Sequence, residues 1–214
     1  MTLAAMQRQL SGIYDAPTPL AIADFLTTDR DLLAVNCHVD EQLLVARDDD
    51  TLLLSLFVDA TVLQRLAAAD PVQRLHSGNI ADYLTALEGV SHFNYLVFHA
   101  AHDRMVSRLE LELQAEIDKY VSSLWLLRAQ FADHFPLELR ALLFSSQLRI
   151  DARLTADEQR LYREASRCAA RYCQLIEQQL SGQSAASSDQ CLKHLRRFYR
   201  WPMARKLDFI SRLS

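Results

Sequence analysis

Glycine and proline are scarce in this chain: 214 residues contain only four glycines and five prolines. Loop-rich β-sandwiches use both residues freely, so their scarcity argues for a fold dominated by helices. Long apolar runs are missing too. No stretch approaches the ~20 residues that span a bilayer. The N-terminus, "MTLAAMQRQL", lacks a basic start followed by a signal-type apolar segment. The cytoplasm is the expected compartment, with no membrane insertion. Cysteine is sparse: Cys37, Cys168, Cys173 and Cys191 form no C-x-x-C pair. Positions 168 and 173 fall about 140° apart around a helix. Reduced, mostly buried thiols are expected rather than a disulfide scaffold. Walker A, G-x-G-x-x-G, G-x-S-x-G and EF-hand motifs are all absent, which argues against nucleotide-dependent chemistry.

What is present fits a globular protein: 50% apolar and 23% charged residues. The length suits one large domain or two small ones. Its net charge of −4 is unevenly spread. The last 24 residues carry seven Lys/Arg against one acid, so +6 sits there and −10 on the rest. Such asymmetry marks an interaction tail or a solvated helix.

Along the chain, "LLAVNCHV", "EQLLVAR" and "TLLLSLFVD" read as short strands, the last two joined at the acidic turn 48–50. Together they predict a small antiparallel meander over about 32–58. The third strand is apolar on both faces, so cover is expected on each side. From residue 60 the pattern is helical. Asp59 is placed to cap a helix over 60–69, Asn79 one over 80–101, and "SRLE" and "TADE" one each over 108–132 and 156–180. Pro136 begins a shorter helix reaching about 147. The expected fold class is α+β, mostly α: a meander packed against a multi-helix body built around an antiparallel αα-hairpin. Residues 1–180 form one domain, "SGQSAASSD" at 181–189 is a linker, and basic amphipathic helices occupy 190–214.

The helix over 80–101 is apolar nearly all round, except for one seam. Glu88, His92, Tyr95, His99 and His102 share an arc of about 80°. A buried polar seam needs partners. Packing the two hairpin helices antiparallel sets His92 level with Ile117 and beside Glu116, with Glu112 and His99 a turn away. Glu88, His92 and Glu116 are therefore the expected metal ligands, with Glu112 and His99 in reserve. Such an N/O donor set suits zinc, manganese or iron. The Glu-x-x-His spacing of helical two-metal bundles is not met, because Glu88 and His92 are four apart. Aligned with the zincin motif H-E-x-x-H, Glu88 takes the first histidine's place and Gly89 the general base's. His92 and Glu116 match the rest. With no base, peptide hydrolysis by that route is unsupported. The same residues also form the pattern of a hydrogen-bonded network that fixes helix register.

The basic tail interleaves Arg and Lys with Phe198, Tyr199 and Trp201, a combination able to grip phosphate and stack on bases. The acidic remainder would repel phosphate, and no nucleic-acid-binding signature occurs. Its apolar stripes let it dock on the domain. Arg196, Arg197, Arg200, Trp201, Arg205 and Lys206 are the expected contact surface for another protein or a second copy. Two functions follow. The first is a non-catalytic interaction or scaffold protein whose seam is structural. The alternative is a metal-binding protein with a degenerate zincin-like, hydrolase-related Glu/His/Glu site.

Overall fold

Eight α-helices and three short strands make up the described part of the chain, residues 2–34, 38–49, 51–131, 135–145, 154–181 and 185–213 of a computed structural model. The fold is α+β and mostly α, as expected. The helices are α1 (Leu3–Tyr14), α2 (Ala60–Ala68), α3 (Ile80–Ala100), α4 (Arg108–Gln130), α5 (Glu138–Phe144), α6 (Ala156–Ser181), α7 (Ala185–Arg200) and α8 (Met203–Ser211). The strands are β1 (Leu26–Thr27), β2 (Glu41–Asp48) and β3 (Thr51–Val58), in the order β1-β3-β2.

Local signals account for most helix starts. The Asp59 carboxylate accepts from Thr61 N at 2.8 Å to open α2, and the Ser107 hydroxyl accepts from Glu110 N to open α4. Thr155 and Glu158 form a reciprocal capping box at α6. Asn79 departs from expectation. Its amide oxygen accepts from His76 N, while its amide nitrogen donates to the carbonyls of Ala69 and Arg74. It therefore ties down the α2–α3 connection instead of capping α3.

β2 and β3 pair antiparallel around the acidic turn, with Asp48 opposite Thr51 and Glu41 opposite Val58. Asp49 takes a positive φ of 50°, which suits a tight hairpin. The third strand differs from the expected meander. It is Leu26–Thr27, lying parallel to β3 against Leu56 and Phe57. Of the segment expected to supply it, residues 30–32 form a 3-10 turn and 35–37, with Cys37, lie outside the described residues. Cover is uneven as well. Leu56, Phe57 and Val58 are fully buried, whereas Leu52 and Leu53 near the turn are exposed.

α3 occupies the centre, touching α1, α2, α4, β2 and β3. α4 packs between α3 and α6, and the basic tail closes the structure. α7 begins at Ala185, inside the expected linker, and packs on α1 and α6. Cys191, Leu195, Phe198, Tyr199 and Ile210 belong to the same hydrophobic cluster as the first 180 residues. Phe198 stacks on Tyr172 at 3.9 Å between centroids. Phe198→Ala should therefore cost about 3–5 kcal/mol in urea unfolding. Deleting residues 191–214 should yield aggregated or unfolded protein. A soluble truncated chain of unchanged helicity would show the tail to be separable.

A candidate metal centre on the central helix

Two cross-helix bonds set the register of α3 against α4: Tyr83 Oη to Ser122 Oγ at 2.7 Å, and Tyr95 Oη, donating to Glu110 Oε1, at 2.6 Å. Between them His92 comes level with Leu113, beside Glu112. Sequence reasoning placed it one turn away, at Ile117 and Glu116. The connection 101–107 accounts for the shift. Asp103 turns through the left-handed region at φ 52°, and Arg104 pairs with Glu110 in the first turn of α4. This draws α4 about one turn further down α3 than a tight hairpin would.

The seam divides accordingly. His92 is 7% exposed. Its Nε2 lies 3.6 Å from Glu112 Oε2 and its Nδ1 lies 3.9 Å from Glu41 Oε1. Both gaps are too long for hydrogen bonds. His92 Nε2 and Glu41 Oε2 are buried without a hydrogen-bond partner among the described residues. Donor atoms of Glu88, His92 and Glu112 all lie within 4.8 Å of one another. Ligands about 2.0–2.1 Å from a tetrahedral zinc would stand about 3.3–3.5 Å apart, so small side-chain adjustments close the set. Glu116 belongs elsewhere: it and Glu88 each take Lys119 Nζ at 2.7 Å.

Glu41 carries no sequence signal beyond opening a strand, yet it completes the cluster. The sheet brings it against Gly89, where a Cβ would collide with Glu41 Oε2 and meet Leu56 Cδ1 at 2.7 Å. Gly89 is thus the gap through which a carboxylate from β2 reaches the histidine. The cluster opens on a cavity of about 420 Å³, walled by Leu43 and Leu111 and edged by Arg108 and Tyr162. Arg108 is bound to Glu158 at 3.0 Å.

The other half of the seam is closed. His99 is 2% exposed, packed on Tyr95 and Tyr199, with Nε2 3.2 Å from the Tyr199 carbonyl. Burial, Arg104 and Lys206 push its pKa down to about 3. A neutral ring donating to that carbonyl is no ligand, so His99 leaves the set. Lys206, expected on a contact surface, is fully buried and donates to Tyr95 Oη and Gln114 Oε1. Arg196 donates to the carbonyls of Gly12 and Ile13, and Arg200 to those of Tyr14 and Asp15. They cap the C-terminus of α1, where cations are favoured. Trp201 lies under Arg205 at 4.4 Å. Of the six expected contact residues, Arg197 and Arg205 remain exposed alongside Arg200.

Electrostatics follow from burial. Burial alone would lower the pKa of His92, but Glu112, Glu41 and Glu88 raise it to about 9. Burial lifts Glu41 well above the usual carboxylate range, against the pull of His92. Burial opposes the charge on Glu88, but Lys119 and His92 hold its pKa down. The fold and cluster define a class: an α+β protein with a buried carboxylate–imidazole cluster between a central helix, its antiparallel neighbour and a small sheet. Set against protein-family models, curated proteins and solved structures, the chain matches none of them. No described helix is long and apolar enough to cross a membrane.

Two tests follow. Both His92 and Glu41 bind protons more tightly folded than unfolded. The stability they supply is fully present below their ordinary pKa values and is lost as pH rises through the folded ones. The melting temperature of metal-free protein should fall between pH 6.5 and 9.5, and a flat or rising profile would refute the coupling. Gly89→Ala, which elsewhere in a helix gains about 1 kcal/mol, should destabilise this protein by displacing Glu41.

Proposed function

We propose that this protein binds one divalent transition-metal ion, zinc, manganese or iron, through Glu88, His92 Nε2 and Glu112. One observation carries the reading: a histidine nitrogen, buried and unbonded, faces two carboxylates at the edge of a cavity. Burying unpaired polar atoms is costly. An ion bound at Nε2 removes that penalty. Glu41 lies on the Nδ1 side, 3.9 Å away. A small side-chain adjustment would bring its carboxylate to where it fixes the tautomer and turns Nε2 to the metal, an arrangement usual for metal-bound histidine.

Three protein ligands leave coordination positions for water or a bound molecule. They open on the cavity, so the ion is placed to polarise a small ligand held against Leu43 and Leu111. This favours the metal-binding alternative over the interaction protein, because the tail offered for contact is mostly occupied within the fold. The cytoplasm suits a protein whose described thiols are all free.

Metal analysis of protein purified without a histidine tag tests the reading. About one equivalent of zinc, manganese or iron per chain is expected, and it should be lost in His92→Ala. Glu41→Gln should weaken binding about 10–100-fold at unchanged helicity. Protein that stays empty after exposure to all three ions would reject the proposal in favour of a structural network.

A further inference from the structure

The Lys119 ammonium sits beside the proposed ligands and lies 2.7 Å from both Glu88 Oε2 and Glu116 Oε1. It joins one carboxylate from each hairpin helix, as a bridging cation would. Glu88 therefore belongs to two groups: the triad with His92 and Glu112 on one side, and the lysine pair with Glu116 on the other. Building on the metal reading above, we propose that Lys119 occupies the second cation position of what would otherwise be a two-metal carboxylate centre. It thereby fixes the site at one divalent ion per chain.

Spacing supports the assignment. Helical two-metal bundles draw a Glu-x-x-His pair from each of two helices, adding single glutamates from the others. Glu116 and Lys119 stand three apart on α4, so the ammonium takes the place that pattern gives to an imidazole. Charge supports it as well. The amine is held between two carboxylates at ion-pair distance. A second divalent ion would meet a tethered positive charge and find both carboxylates engaged. Geometry adds a role for Glu88: with one oxygen held by Lys119, the other is left for the first ion. Metals about 3.5–4 Å apart share ligands in two-metal sites, and Glu88 stands where such a shared ligand would be.

Lys119→His restores the Glu-x-x-His spacing and removes the fixed charge. The tag-free wild type and variant would each be loaded with Mn(II), desalted and assayed for metal content and by electron paramagnetic resonance. The expected result is one ion per wild-type chain with an isolated Mn(II) signal, and two per variant chain with an exchange-coupled signal. One isolated ion in both proteins overturns the role of Lys119 and leaves the metal site standing. Two ions in the wild type also overturn it. An empty wild type overturns this inference together with the metal reading. If Lys119→His does not fold, Lys119→Gln removes the charge without adding a ligand. It should take up a second, weaker ion, and a single ion at saturating Mn(II) overturns the proposal.

Discussion

A helix enclosed on every side must find an internal partner for each polar group it carries. α3 meets that constraint in two ways along one seam. Towards its C-terminus, Tyr95 joins Glu110 and Lys206, and His99 joins the Tyr199 carbonyl. On the face towards α1, Asp118 accepts from Tyr14, Ser91 and Gln114. Hydroxyls, an amide, a deprotonation-prone lysine and, at Glu110, the Arg104 guanidinium satisfy these groups. One turn towards the N-terminus, Glu41, Glu88, Glu112 and Glu116 meet the Lys119 ammonium and the His92 imidazole, with the Arg108 guanidinium 4.0 Å from Glu112. The burial is similar, but here a ring nitrogen, His92 Nε2, is left without a hydrogen bond among the described residues. A register-fixing network has no need of an unbonded donor atom, whereas a cation site does.

The sheet matters to the site because of one missing side chain. A glycine inside a helix costs about 1 kcal/mol relative to alanine. Gly89 lies where β2 and β3 press on α3, with Leu56 and Glu41 filling the space a methyl group would take. The zincin alignment assigns that same position a general-base carboxylate. Here the carboxylate arrives from β2 instead, and on the Nδ1 side of His92.

The helices were legible because their ends are written locally, in Asp59, in Ser107 and in the Thr155–Glu158 box, and because α3 is apolar all round. The polar seam was legible from helical spacing alone. The partner of His92 was not, since one turn of register depends on how residues 101–107 are laid out. Nothing local records the Arg104–Glu110 pairing that decides it. Glu41 was hidden for a different reason: strand alternation gives a face, while the helix that face meets is a tertiary fact. The parallel strand Leu26–Thr27 is two residues long, too short for any periodicity to reveal. Charge misled most at Lys206. A lysine in a basic helix reads as solvated, and only the packing of α8 shows that its amine is enclosed.

The basic tail also bears on the carboxylate–imidazole cluster. Arg196 and Arg200 fasten α7 to the end of α1, which sets where the chain turns into α8 and delivers Lys206 beneath Tyr95. Tyr95 is then held by Lys206 and Glu110, three residues beyond His92 on the same helix. Ser91, immediately before His92, is held by Asp118. A helix pinned on both sides of one residue cannot rotate about its axis without breaking buried hydrogen bonds. The direction of the imidazole is therefore set by hydrogen bonds outside the cluster. That arrangement keeps a donor nitrogen aimed at two carboxylates that hydrogen bonding alone does not bring to it.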